Sequence, residues 1–282
     1  MLTEEKPDRE KSAEQTREPT LRYGWINRDR WNVLDLLNLY GMKAITTQVF
    51  YDINMQWVED SREALNKQHQ KEGKGTRVTI TAFLLKAIAL AQIKHPASRT
   101  LLLPGLRMVT FEDVVAGFTV EREVNGAAVV FFGEIENPCQ KSVATIAEEL
   151  KDYVDEEIDS VEKLKEQRLF TKFPWVLRQL VFHVGSWFPG FRLMCMRATF
   201  GLSSLGALGV RSVWGPSVCT SVFGVGAVEE RVVVEEGKIV ARPMMTLSLS
   251  FDQRVMDGGQ AAEFVIEVKR LLEGGFEIEK QA

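Results

Sequence analysis

The stretch "TRVTITAFLLKAIALAQIKHP", residues 76–96, constrains this chain more than any other. It is apolar nearly all round at helical spacing, has Thr81 in place as an N-cap, and stops at Pro96. A helix with no wet face must be covered on every side. That demands a layered fold in which a sheet and other helices close over it, and the rest of the sequence has to supply those layers.

The pieces for them follow in order. "RWNVLDLLNLYG" (30–41) predicts a short helix ending at Gly41, "KAITTQVFYDI" a strand, and "MQWVEDSREALNKQHQKEG" a helix closed by a Lys/Gly turn. From 99 to 135 come short strands, "RTLLL", "RMVTF", "VVAGFTV" and "AAVVFFGEI", the last two joined through Val-Asn-Gly. "SVATIAEELKDYVDEEIDSVEKLKEQR" predicts one or two charged surface helices. "SVCTSVFGVGAVEERVVVEEGKIVARPMMTLSLSFD" predicts three or four strands with a Glu-Glu-Gly turn, and "GGQAAEFVIEVKRLLEGG" a closing helix. Strands and helices are mixed along one chain without an obvious linker, so the expected class is α/β or α+β in a single domain over 21–275. A disordered polar leader at 1–20 and a polar tail at 276–282 flank it.

Composition narrows the function classes. A net charge of −4 over 282 residues argues against a nucleic-acid binder. The three cysteines, Cys139, Cys195 and Cys219, are far apart and form no CxxC pair, so no disulfide framework and no metal site is expected. A reducing, cytoplasmic location is the expectation. The first 20 residues carry charges throughout and no apolar core of a signal peptide. The most apolar run, 173–196, is broken by Pro174, Arg178, Pro189 and Arg192, which excludes a membrane-spanning helix there.

The last hundred residues carry a constellation. "LSSLGALGV" (202–210), "VFGVGAVEERVVVEEGKIVARPMMTLSLSFDQRVMDGG" (222–259) and "AAEFVIEVKRLLE" (261–273) occur in that order. Together they resemble the catalytic domain of the dihydrolipoyl acyltransferases, the E2 components of 2-oxoacid dehydrogenase complexes, whose fold is shared with chloramphenicol acetyltransferase. The resemblance covers roughly 25–155 and 198–275 and implies a mixed sheet with flanking helices. It also implies coenzyme A or an acyl-CoA as substrate and a homotrimer that builds its site between subunits. At the C-terminal motif the family has a histidine that takes the proton from the thiol of coenzyme A or dihydrolipoamide. Here that position is Gln253, a carboxamide that can hydrogen-bond but cannot act as a base.

By the same resemblance Ser203 matches the serine that hydrogen-bonds the oxyanion of the tetrahedral intermediate. Asp257 matches the aspartate that holds the active-site turn by a salt bridge, and Gly258 lets that turn close. Asp252 and Arg254 flank the missing base. The residues also admit plainer readings: Ser203 as a polar member of a Ser-Leu-Gly turn, Asp257 as the N-cap of the closing helix, and Gln253 as a keeper of the turn's hydrogen bonds. Of the three histidines, His69 and His95 read as surface residues at helix ends, and His183 is the one candidate for a replacement base.

Two departures from the family pattern matter. No lipoyl domain precedes the catalytic region in this sequence, and "GGFEIEKQA" at the end is not the apolar terminus with which E2 cores close large assemblies. Between the charged helices and Ser203 stands an insert at about 168–198, aromatic, apolar and basic. Such a segment can lie on an anionic membrane surface, widen the acyl or acceptor site toward lipid-like substrates, or cover the trimer's own core. Three functions therefore stay open. One is a CoA-dependent acyltransferase between CoA, or another thiol, and an unknown acceptor. Another is a catalytically silent homologue that binds CoA, acyl groups or 2-oxoacid dehydrogenase components. The third is a membrane-associated binding module.

Overall fold

The computed structural model describes residues 45–103, 107–124, 127–158, 160–170, 172–185, 188, 197–216 and 218–276. The expected helix at 30–41, the leader and all but the first residue of the tail lie outside these. The chain begins with strand β1 (Thr46–Asn54), helix α1 (Gln56–Lys71) and helix α2 (Ile80–Lys94), followed by a 3-10 turn at Pro96–Arg99. A small hairpin of β2 (Thr100–Leu103) and β3 (Arg107–Thr110) leads into β4 (Val115–Val124) and β5 (Ala127–Glu136). Helices α3 (Val143–Asp155), α4 (Glu162–Phe170) and α5 (Trp175–Gly185) come next. The chain then returns through β6 (Phe200–Ser204), β7 (Ser221–Glu235) and β8 (Lys238–Asp252) to α6 (Gly258–Gly274).

Six strands form one mixed sheet in the order β1-β8-β7-β6-β4-β5. β6 runs parallel to both β4 and β7, and every other pair is antiparallel. Alternate residues face one layer, as the two-residue period of a strand requires: Met245, Leu247, Leu249 and Phe251 on β8, Phe223 and Val225 on β7, Ala116 and Phe118 on β4. Against that face lies α2, buried from Ala82 to Ala89 without interruption, with α6 and α3 packed on it. α6 gives Ala261, Phe264, Val265, Val268 and Leu272, a helical stripe. The helix that demanded cover on every side therefore receives it, and the expected α/β class with a mixed sheet and flanking helices is what the chain adopts.

Two expectations are corrected. α2 starts two residues earlier than an N-cap at Thr81 would allow: Thr79 is the N-cap residue, and its side chain makes no capping hydrogen bond. The segment 217–252 holds two long strands rather than three or four. A bulge between Val225 and Val228 bends β7 without ending it, and Glu236 and Gly237, both at positive φ (50° and 76°), make the one reversal.

The edge strand β5 is closed by α4. Gln167 accepts from the Phe132 N–H at 3.0 Å and donates to the Phe132 carbonyl at 2.7 Å, taking the part of a missing neighbour strand.

Candidate active site

The C-terminal turn is built on Asp252. β8 ends there, and the Val255 and Met256 N–H groups both donate to its carbonyl, at 3.0 and 3.1 Å. Its buried carboxylate accepts from Arg254 Nε at 2.9 Å and Nη2 at 2.6 Å, and from the Arg254 N–H at 3.1 Å. The pairing raises the Arg254 pKa, mainly through the hydrogen bond to Asp252. Met256, fully buried, anchors the turn in the core. Asp257 caps α6 in a reciprocal box with Gln260, at 2.8 and 3.1 Å, so the ion pair of this turn is that of Asp252 with Arg254. Gly258 opens α6, and a Cβ there would meet nothing within 4 Å in the protomer.

Gln253 stands exposed at the apex. Its N–H donates to the Ile45 carbonyl at 2.9 Å, and its side-chain Oε1 accepts the Thr47 hydroxyl at 2.7 Å. With the carbonyl end of the amide held by Thr47, the Nε2 group is the end left to meet a ligand. This position donates a hydrogen bond; it does not take a proton.

Ser203 lies on β6, paired with Gly224 of β7, its hydroxyl 3.5 Å from the Thr119 hydroxyl. Gly224 is required here by close approach: a Cβ would sit 1.9 Å from the Val213 carbonyl of the loop that follows Ser203 and crosses the sheet. A groove of about 480 Å³ opens at Thr119, Leu202 and Ser204, the neighbours of Ser203, while Ser203 itself is not part of its lining. Its walls are Phe118, Val120, Leu150 and Leu202, and its charged residues are Arg77 and Lys151 together with Glu121 and Asp155. Thr79 and Thr81 bring the uncapped start of α2 to the same groove. Orphan N–H groups at a helix start suit an anion, the two cations are matched in number by the two carboxylates, and the apolar walls suit an acyl chain. No described residue of the 168–198 insert lines it. A smaller cavity of about 280 Å³ at Trp57, Met244 and Glu273 lies away from both motifs.

The two motifs do not meet within one protomer. Ser203 is level with Gly224 and, one strand further, with Ser248, and Gln253 stands five residues beyond Ser248. At ~4.8 Å between strands and ~3.3 Å per residue, the two side chains are on the order of 20 Å apart.

Two of the three histidines sit in packing contacts. His69 is buried, against the expectation of a surface residue, because its ring turns under the following loop, Nδ1 3.0 Å from the Thr76 carbonyl. His95 is half-buried with its ring 5.7 Å from that of Phe264, which also corrects a surface reading. His183 falls on α5 with a side chain outside the described residues. Cys219 is no nucleophile: burial pushes its thiol up to about 12, so it stays protonated at neutral pH. Among the described residues no group of three or more His, Cys, Asp or Glu is placed to hold a metal. Thr47, Arg77, Thr119 and Lys151 went unread in the sequence because each reaches the site only through strand register or helix packing, and no local motif marks them.

The comparisons with known proteins agree with this geometry. The family model described as 2-oxoacid dehydrogenases acyltransferase (catalytic domain) matches residues 37–168 and 195–279, and the interval it skips falls within the insert. Over 227 residues the chain is 25% identical to the dihydrolipoyllysine-residue acetyltransferase component of the pyruvate dehydrogenase complex of Rickettsia felis, covering 79% of this chain and 46% of that protein. Over 79 residues it is 51% identical to the lipoamide acyltransferase component of the branched-chain alpha-keto acid dehydrogenase complex of Pseudomonas putida, covering 27% of this chain and 18% of that protein. The chain thus spans about half the length, or less, of these curated relatives. Among solved structures it is similar to Azotobacter vinelandii dihydrolipoamide acetyltransferase, in work on the role of one serine, one histidine and one asparagine in its catalytic mechanism. That likeness has a TM-score of 0.69 at 22% identity, covering 90% of this chain and 91% of the other. A probable dihydrolipoamide acetyltransferase from Listeria monocytogenes gives 0.68 at 19% identity, covering 92% and 97%.

Proposed function

Since the chain belongs to the 2-oxoacid dehydrogenases acyltransferase (catalytic domain) family, we propose that it binds an acyl thioester of coenzyme A beside Ser203 and presents it to Gln253 of a second subunit. The observation that carries this reading is the distance between the two motifs. Both are kept in one chain, yet they lie on the order of 20 Å apart across the sheet, so they serve one reaction only if a neighbour brings its own turn to this Ser203. A homotrimer, as the family resemblance implies, does so. The groove supports the choice of substrate through its apolar walls, which suit a pantetheine arm or acyl chain, and the open start of α2, which suits a phosphate.

In this reading the Ser203 hydroxyl donates to the carbonyl oxygen as negative charge develops on it. The acceptor thiolate attacks the thioester carbon, and the tetrahedral intermediate collapses by breaking the old C–S bond, releasing the other thiolate. Gln253 Nε2 donates a hydrogen bond and removes no proton, so the attacking thiol must ionise on its own. The rate then follows the thiolate fraction and climbs tenfold per pH unit until the thiol pKa of about 8.5. Gln253→His should raise transfer at neutral pH by about 10² to 10⁴ and flatten the profile above pH of about 6.5, where the imidazole is already neutral.

The Thr47 bond favours a second reading as well, a silent homologue that holds acyl-CoA or a 2-oxoacid dehydrogenase component without turnover. Purified protein incubated with acyl-CoAs and thiol, amine or alcohol acceptors, with free CoA followed, separates the two. Turnover supports the first reading; tight acyl-CoA binding without release of CoA supports the second. A monomeric mass at micromolar concentration would sink the shared site.

A further inference from the structure

The mixed sheet forks beside Ser203. β4 and β6 pair only from Ala116 with Phe200 to Phe118 with Leu202. Beyond that point β4 goes on with β5 as far as Val124, and β6 goes on with β7 through Ser203 and Ser204. The next residues in register, Thr119 and Ser203, meet through their hydroxyls at 3.5 Å. The groove of about 480 Å³ lies in this fork, lined by Thr119, Val120 and Glu121 from β4 and by Leu202 and Ser204 from β6. Strand alternation puts Ser203, with Gly224 and Ser248, on the face where Ser248 donates to the Val213 carbonyl, whereas Phe118, Val120 and Leu202 face the helices. The groove thus belongs to the helix side of the sheet, and Thr119, which lines it and touches Ser203, joins it to the other face.

The lining identifies the occupant. Ala147, Leu150 and Val154 of α3, spaced three and four apart on one helix face, stand opposite the apolar strand residues. Arg77 and Lys151 are matched in number by Glu121 and Asp155, so no net charge along these walls selects a charged acyl group. Volume separates a chain from an acetyl group. A methylene takes about the space of a water in the liquid, on the order of 30 Å³, so about eight carbons fill half of the groove, and an acetyl group leaves most of it without partner atoms.

We propose that the fork takes the acyl chain of the thioester, which enters past Thr119 with its carbonyl at Ser203, and that it selects aliphatic acyl groups of about six to ten carbons over acetyl or succinyl. The assignment rests on the reading that an acyl thioester binds at Ser203. The purified protein is titrated calorimetrically with acetyl-, succinyl-, butyryl- and octanoyl-CoA, each below its micellar concentration. A fully buried methylene tightens binding about fourfold, and a groove leaves part of the chain wet, so octanoyl-CoA should bind at least about tenfold tighter than acetyl-CoA. Butyryl-CoA should fall between them, and succinyl-CoA should bind no tighter than acetyl-CoA. Leu150→Trp fills the groove from α3 and should cut the octanoyl-to-acetyl ratio at least about fivefold. Val154→Glu, at a wall position 55% exposed, sets a charge beside the chain and should cut the ratio as well, with circular dichroism checking that each variant is folded. Val232→Glu, on the exposed arm of β7, should keep the wild-type ratio. Octanoyl-CoA bound no tighter than acetyl-CoA, a wild-type ratio in the folded wall variants, or an equal loss in Val232→Glu would overturn the proposal and leave acyl-thioester binding at Ser203 standing. Binding of no acyl-CoA at all would sink that reading and this assignment with it.

Discussion

α2 and α5 are two apolar helices, each with one long cation in its middle, and they meet opposite fates. In α2 the residues from Ala82 to Ala89 are buried by the sheet, α3 and α6, and Lys86 runs out to the backbone carbonyls of Cys139 and Lys141, just ahead of α3. In α5 the apolar side faces out and the arginine faces in. Hydrophobicity along a sequence says that a helix needs cover; it does not say that its own chain provides it. α2 gets its cover from strands and helices far apart in the sequence, and these fix the sheet on which Ser203 and Gln253 sit. α5 gets none from the described residues.

The largest difference between the two should appear on truncation. Leu85→Ala, in the middle of α2 and fully buried, should cost about 2 to 5 kcal/mol in denaturant unfolding, by lost burial and the cavity left behind. Leu180→Ala, 57% exposed on α5, should change stability by no more than about 0.5 kcal/mol while weakening whatever covers the helix. Similar losses at both positions would mean that α5 is packed in solution and that the contrast is false.

A smaller effect tests the cations. Lys86→Met keeps the length and apolar stem of the side chain but leaves the Cys139 and Lys141 carbonyls without their donor, which should cost about 1 to 3 kcal/mol. The loss should concentrate at the start of α3, which these carbonyls precede, and hydrogen exchange there should quicken. Unchanged protection would show that the loop holds itself.

The same contrast explains what the sequence could and could not reveal. The period of α2, the β-branched runs of β4, β5 and β8 and the stripe of α6 are local patterns, and they predict the elements that form. The motif "SFDQRVMDGG" predicts a turn with Asp252, Gln253 and Arg254 together, and the turn is there, but its ion pair joins Asp252 to Arg254 while Asp257, expected to form it, caps α6. The union of β7 into one strand escaped because a bulge and a strand end look alike in sequence. His69 escaped because its polar neighbours are solvated while its own ring turns inward. Thr47 reaches Gln253 only because β1 pairs with β8, a contact between residues 206 positions apart. Arg77 and Lys151 meet at the groove through the packing of α2 and α3, and no spacing announces that.

The smallest expected effect concerns the polar lock between α2 and α6. Glu267 of α6 accepts from Lys94, at the end of α2, at 2.7 Å and from Arg270 at 2.8 Å. These partners, Arg270 foremost, hold its pKa down to about 2 from an ordinary 4.5, against the opposing effect of partial burial. A carboxyl whose folded pKa is depressed contributes its stability above the unfolded value and loses it as the pH falls toward the folded one. The contribution should therefore be complete above about pH 4.5 and gone near pH 2. Lys94 and Arg270 are 61% and 56% exposed, so solvent screening should leave no more than about 1 kcal/mol. Glu267→Gln should lower stability by that amount at pH 7, and the gap from wild type should close on acidification below about pH 4.5. A variant as stable as wild type at pH 7 would show that apolar cover alone holds α2 against α6. The difference between α2 and α5 would then lie wholly in what their apolar faces touch.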